Sequence, residues 1–308
     1  MSKVLHNILE TIGMTPVVRL NKVADDCPAK LLAKLEMFNP SGSSKARAAY
    51  GMLLEAEKEG IIKPGMVIVE PTSGNQGIAL AMVGAVKGYR IIIVMPDSMS
   101  MERRMLARAY GAEVVLSPAS ENLEGTVRKA QEIVASTPNS WMPNQFANPS
   151  NPRYHARTTA QEILEQIEGP IDALVAGVGT GGTLTGIARV LKEVYPSIKV
   201  YAVEPANSAV IAGEQPGQHK LQGIGDGFVP ENLDMDILDA PLSVSDGDAY
   251  MMTRRLAREE GILAGISSGA AVYAAKQIGH RLGEDKKILI ILPDTGERYL
   301  STDLYKEE

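Results

Sequence analysis

Hydrophobic and polar positions follow two rhythms along this chain. Short apolar runs, MVIVE (66–70), IIIVM (91–95), EVVL (113–116), DALVAG (172–177), KVYAVE (199–204) and KKILIILP (286–293), read as buried strands. Between them apolar residues recur at helical spacing over 76–87, near 101–110, from about 158, and over 183–195. A further helix is predicted after NPSGSSK (39–45), where Ala49, Met52, Leu53 and Ala56 share one face, Ser43 or Ser44 supplies the cap and Gly60 the stop. Strand–helix alternation demands parallel strands covered by helices. The pattern therefore predicts an α/β protein of two lobes, each a mostly parallel twisted sheet flanked by helices, with a cleft between them. Asn and Pro crowd residues 140–155 too densely for a regular element, and the glycine-rich stretch 213–230 reads as a long loop.

A chain of 308 residues is long enough for two lobes. Hydrophobic content of 44% against 22% charged residues is that of a globular protein, and a net charge of −6 with no basic run argues against a nucleic-acid partner. A single cysteine, Cys27, excludes an internal disulfide or a cysteine-rich metal site and fits a reducing compartment. The first residues lack the apolar core of a secretory signal, and the longest apolar runs are too short to span a bilayer. The expectation is a cytoplasmic protein with no metal and no membrane partner.

Four segments carry chemistry. Lys45 stands in the first turn of its predicted helix, where the positive end of the dipole disfavours an ammonium and eases access to the neutral amine. GVGTGGT (177–183) follows a strand and opens a helix, so its backbone amides and the hydroxyls of Thr180 and Thr183 form a cradle for phosphate. Gly177, Gly179 and Gly182 also match a dinucleotide fingerprint with Glu204 near the ribose-binding distance, and a plain tight turn is a third reading. PTSGN (71–75) sits at another strand-to-helix junction, able to grip a carboxylate or merely to cap its helix. Thr295 marks the end of the last strand.

A lysine at a helix mouth, a phosphate cradle, a carboxylate-gripping loop and a hydroxyl at the last strand suit one cofactor, pyridoxal 5'-phosphate (PLP). Over nearly its whole length the chain resembles the cysteine synthase (O-acetylserine sulfhydrylase) family and the related cystathionine β-synthase core, fold type II PLP enzymes. The resemblance runs through IGMTPVVRL (12–20), AKLEMFNPSGSSKAR (33–47), TSGN, MSMERR (99–104), GAEVVL, NQFANPSNP, GVGTGGT, QGIGDGF (222–228) and LPDTGERYLSTDL (292–304). The dinucleotide reading explains neither NPSGSSK nor TSGN. The resemblance implies that Lys45 holds the cofactor covalently and moves the substrate's Cα proton. It implies that Gly179, Thr180, Gly181, Gly182 and Thr183 bind the phosphate and that Asn75 bonds the ring 3'-oxygen. Thr72, Ser73, Gly74, Asn75 and Gln145 are implied to bind the substrate carboxylate, and Thr295 to face the pyridine nitrogen. A neutral hydroxyl there would make the ring a weaker electron sink, which suits expulsion of a β-leaving group over transamination.

Three positions depart from the family's commonest sequence: Ala46 after the lysine, Gln76 after SGN, and Asp226 in the glycine-rich loop. Asp226 borders the expected entry of the second substrate, where a carboxylate would repel hydrosulfide and accept a proton from a neutral thiol or water; a loop aspartate that only supports a turn is the other reading. The expected activity is β-replacement, O-acetyl-L-serine plus sulfide giving L-cysteine plus acetate. The alternative uses L-cysteine or L-serine, releasing hydrogen sulfide or water and forming lanthionine or cystathionine. The resemblance further implies a homodimer and, from another class of function, binding of the C-terminal tail of serine acetyltransferase in the cleft. Residues 1–40 and 151–308 are expected to form the larger, PLP-binding lobe and 41–150 a smaller, mobile substrate-binding lobe. No regulatory domain is expected after the STDL segment.

Overall fold

A computed structural model describes residues 4–306; residues 1–3 and 307–308, at the two ends of the expected larger lobe, lie outside the described residues. In chain order the strands are β1 (Val17–Arg19), β2 (Lys30–Leu35), β3 (Val67–Pro71), β4 (Arg90–Pro96), β5 (Glu113–Ser117), β6 (Ser140–Trp141), β7 (Ala173–Gly177), β8 (Lys199–Pro205), β9 (Ala240–Val244) and β10 (Lys287–Leu292). The helices are α1 (Lys45–Lys58), α2 (Asn75–Lys87), α3 (Met101–Ala109), α4 (Asn122–Ser136), α5 (Ser150–Arg157), α6 (Thr159–Gln166), α7 (Gly182–Val194), α8 (Asp246–Glu260) and α9 (Ile266–Leu282).

Two sheets result, one of six strands in the order β1-β2-β10-β7-β8-β9 and one of four in the order β5-β4-β3-β6. Every pairing is parallel except β1 with β2. The inner strands are buried on both faces, which is why they are mostly apolar, while edge strand β1 has two exposed residues. In β10, Ile288, Ile290 and Leu292 enter the core shared with α8 and α9, while Leu289 and Ile291 enter the one shared with α6 and α7. In the smaller sheet Ile91, Ile93 and Met95 pack with residues of α1 and α2, and Ile92 and Val94 with α4. Strand alternation thus divides one apolar run between two cores.

The six expected strands are all present, as is the helix at Lys45. Its cap differs: Ser44 occupies the N-cap position but makes no side-chain cap bond. The segment is held instead by backbone, Ser44 N–H donating to the Pro293 carbonyl at 2.8 Å while Ser43 bridges Asp294. Residues 140–155, expected to be irregular, contain β6 and begin α5. Pro149 sits at the N-cap and Pro152 within the first turn of that helix, where a missing N–H costs nothing. The loop 213–230 lacks regular structure, with Gly223, Gly225 and Gly227 all at positive φ.

Candidate active site

In both sheets the chemistry-bearing segments leave the C-terminal ends of parallel strands, the place where α/β folds bind ligands. Lys45, Gly179, Thr180, Gly223 and Pro293 line two adjoining cavities. One is completed by Gly177, Gly181 and Thr183; the other by Thr72, Ser73, Asn75, Gln76, Arg103, Gln145, Asp226, Ser267, Asp294 and Tyr299. Segments predicted separately from sequence therefore converge on one cleft.

Lys45 is the first residue of α1 and is half-buried. Desolvation holds its amine below the usual lysine range, opposed by the negative charges of Asp294, Asp226 and Glu36. The same burial raises the Asp226 carboxyl, against the pull of Lys45 and His219.

The cradle is built by glycines that tolerate no replacement. A Cβ on Gly179 would lie 2.4 Å from the Gly223 carbonyl oxygen, and one on Gly182 would lie 2.2 Å from Asn151 Oδ1. Gly181 is the N-cap of α7 with φ of 77°, a left-handed conformation that favours glycine. The helix N-terminus, the Thr180 and Thr183 hydroxyls and the neighbouring lysine fit a phosphate bearing an aldehyde cofactor, as PLP does.

At the other junction, Thr72 Oγ1 accepts from the Gly74 N–H at 3.1 Å, and Gly74 has φ of 144° with Arg103 packed against the space a Cβ would take. Gly74 and Gly182 stand behind the lining. Gln145 is held by Glu70, whose carboxylate accepts from the backbone N–H of Asn144 at 3.0 Å and of Gln145 at 3.1 Å. Burial pushes that carboxyl up to about 8, opposed by those two bonds. Asn75 lines the cavity, but its amide already donates to Asp294 Oδ2 at 2.7 Å and accepts from Arg298.

Thr295 is placed elsewhere than the sequence suggested. It N-caps a short 3₁₀ turn, its N–H bonds the Gly42 carbonyl at 3.2 Å, and it pairs with Ala264; it lines neither cavity. The reason is that β10 ends at Leu292, so Pro293 and Asp294 take the cavity positions and the next residue turns away. A hydroxyl that does face the cleft belongs to Ser267, at the start of α9. Its signal was the run GISSG (265–269), small and polar ahead of a helix like the other two junctions.

Also missed was a buried polar cluster that ties the two sheets' loops together. Asp294 Oδ2 accepts from Asn75 and from the Tyr299 hydroxyl at 2.7 Å, and Arg103 bonds Tyr299 at 3.1 Å, packs over its ring and reaches Gln222. MSMERR supplied the arginine, but its partners lie 119 to 196 residues away.

Fold and site together define a two-sheet α/β enzyme built around a lysine and an anion cradle. The family described as pyridoxal-phosphate dependent enzyme matches residues 8–294. The chain belongs to that family, and within it to the cysteine synthases. It is 53% identical over 308 residues to a probable cysteine synthase of Bacillus subtilis, covering 99% of each chain. It superposes on the cysteine synthase of Entamoeba histolytica with a TM-score of 0.95 at 44% identity, covering 99% of this chain and 93% of that one. A hydrogen sulfide-producing enzyme of Fusobacterium nucleatum gives a TM-score of 0.94 at 43% identity, covering 96% and 100%. Among the described residues no helix is long and apolar enough to cross a membrane, and no cluster of His, Cys, Asp or Glu could hold a metal ion.

Proposed function

We propose that this enzyme replaces the β-substituent of an amino acid with sulfide, converting O-acetyl-L-serine and hydrosulfide to L-cysteine and acetate with PLP. The observation that carries the reading is the meeting of Lys45, the GTGGT cradle and the TSGN loop at one cleft. PLP, when bound, supplies an electron sink that stabilises negative charge at the substrate Cα. Lys45 and Gly179 to Thr183 would hold it, with Asn75 and Ser267 beside the ring. Thr72, Ser73, Asn75 and Gln145 would orient the substrate carboxylate. The amine of Lys45, whose proton burial makes easier to lose, removes the Cα proton and returns it after hydrosulfide has taken the place of acetate at Cβ. Residues 41–150 act as the smaller lobe, closing to exclude water. The working unit is a cytoplasmic homodimer, and a serine acetyltransferase tail ending in a carboxylate competes for the TSGN loop.

One observation favours a second reading, in which L-cysteine is the first substrate and hydrogen sulfide leaves. Asp226 lines the same cavity as Lys45 and the TSGN loop, together with Gln222 and Gly223 of its own glycine-rich loop. There it accepts the proton of an incoming thiol. Two assays on the holoenzyme separate the readings: cysteine formed from O-acetylserine and sulfide, and sulfide released from cysteine alone. Under the second reading Asp226→Asn lowers sulfide release about a hundredfold, the size of a general-base contribution, and leaves cysteine formation equal or faster. Because burial raises its carboxyl, that release climbs with pH above the usual aspartate range in the wild type and loses this limb in the variant. Equal rates in both proteins return Asp226 to a turn residue; failure to form cysteine from O-acetylserine overturns the first reading.

A further inference from the structure

His155 belongs to no part of the chemistry above, yet it is buried directly behind the cradle. It lies on α5, 1% exposed, with Nδ1 2.8 Å from Thr159 Oγ1 and Nε2 3.1 Å from Thr183 Oγ1. Asn151, one turn earlier on the same helix, donates its amide to Thr180 Oγ1 at 3.1 Å. Residues four apart share a helix face, so α5 presents two side chains to the two threonines of the cradle. The approach is close because α7 offers glycines opposite: a Cβ on Gly182 would strike Asn151, and one on Gly186 would lie 2.3 Å from the Pro152 carbonyl oxygen and 2.8 Å from His155 Cβ.

The direction of these bonds follows from donor counting. The Asn151 amide nitrogen also donates to the Gln145 carbonyl at 3.0 Å, and a carbonyl can only accept, so the nitrogen faces Thr180. Thr180 Oγ1 therefore accepts, and its own proton is free to point into the cradle. Thr183 needs the same arrangement to donate to an anion. A neutral imidazole offers one donor and one acceptor, so its donor must be Nε2 and the Thr159 hydroxyl must donate to Nδ1. In the opposite tautomer Thr183 would spend its proton on the ring and turn lone pairs toward the anion.

We propose that His155 is a positioning residue for the cofactor phosphate: a neutral Nε2–H imidazole that accepts from Thr159 and donates to Thr183, so that the Thr183 hydroxyl donates to the phosphate. The inference rests on the reading of Gly179 to Thr183 as the phosphate site. Burial pushes the ring down to about 3, aided by the positive charges of Arg47 and Lys45 and opposed by Glu36 and Glu162. The ring thus stays neutral around and above the ordinary histidine pKa, and the relay keeps one polarity there.

With four histidines in the chain, long-range proton–nitrogen correlation on the ¹⁵N-labelled holoenzyme resolves each ring, and His155→Gln identifies its signal. The expected result is the Nε2–H tautomer, unchanged from about pH 6 to 9 around the ordinary histidine pKa. An Nδ1–H tautomer or a titrating ring overturns the proposal. PLP dissociation constants for wild type, His155→Leu, Thr183→Ala and the double variant supply the second arm. Each single change is expected to weaken PLP about ten- to a hundredfold, and the double little more than Thr183→Ala alone, because both remove one bond. If Thr183→Ala leaves PLP affinity unchanged, the phosphate reading itself fails. If Thr183→Ala weakens PLP while His155→Leu does not, or the two effects add in full, only the histidine relay fails.

Discussion

Lys45→Ala is expected to lower turnover by about a thousandfold or more, and to abolish covalent capture of PLP by borohydride reduction of the holoenzyme. The size follows from the general acid–base role, worth about 10² to 10⁴ in rate, added to loss of the covalent tether. The geometry leaves no substitute. Lys45 lines both cavities; the other cation in their lining, Arg103, is committed to Tyr299 and Gln222, and Arg298, outside that lining, to Asn75 and Ser41. Mass analysis after reduction, with a lysine-containing peptide carrying the cofactor in the wild type only, checks the tether; single-turnover kinetics check the rate. Full activity in the variant, or reduction trapping another lysine, would overturn the assignment.

Arg47→Met should produce the largest loss of stability available to a single change near the site. Two residues after Lys45, Arg47 is fully buried and bonds Glu36 at 2.7 and 2.9 Å and Glu162 at 2.6 and 2.7 Å. Lys34 completes the cluster, bonding Glu162 at 2.7 Å and the Thr15 carbonyl at 2.7 Å. Two cations thus balance two carboxylates away from water. Removing Arg47 leaves a carboxylate uncompensated, which costs about 3–5 kcal/mol in buried networks and lowers Tm by roughly ten degrees in a chain of this size. The pH dependence has a definite sign. Glu36 is lowered to about 2, with burial opposing and Arg47 prevailing, so its contribution is present above the ordinary glutamate range and is lost as pH falls toward 2. His155, held neutral down to about 3, adds stability present above the ordinary histidine pKa and lost through the same descent. The gap in Tm between wild type and Arg47→Met should therefore narrow between about pH 5 and 2, which calorimetry at several pH values tests. A gap independent of pH would show that packing, and not the ion network, holds α1. Since α1 begins with Lys45, its anchorage also fixes where the reactive amine stands.

Much of this was legible in the order of residues, for a local reason. Parallel strands buried on both faces must be apolar throughout, and phosphate cradles must be small and flexible where backbone approaches backbone; both demands act within about ten residues. The six predicted strands, the helix at Lys45 and the GTGGT and PTSGN turns were readable on that account. The strands β1, β2 and β9 and the helices α4, α8 and α9 were not singled out. Edge strand β1 is three residues long, and the cap signals of α8, Ser245 before it with Asp248 in its first turn and Gly261 after it, were present but went unread because no chemistry-bearing motif drew attention to them. The resemblance to cysteine synthases identified the chemistry because it drew on nine ordered segments at once.

What only the tertiary structure decided concerns residues whose meaning depends on distant partners. Whether Thr295 or Ser267 faces the cleft depends on where β10 stops and where α9 begins, a matter of a single residue in a turn. Arg47 reads in sequence as an ordinary charged residue in an amphipathic helix, and becomes a keystone only because Glu36, in the 3₁₀ turn after β2, and Glu162, in α6, arrive from 11 and 115 residues away. His155 lay in a stretch dismissed as irregular and stands behind the cradle because glycines in α7 admit α5. Periodicity records the face a residue buries, and small-residue motifs record where backbone approaches backbone; neither records which charge a buried charge will meet. In a medium of low polarizability that pairing decides both the stability of the fold and the protonation of the groups in the cleft.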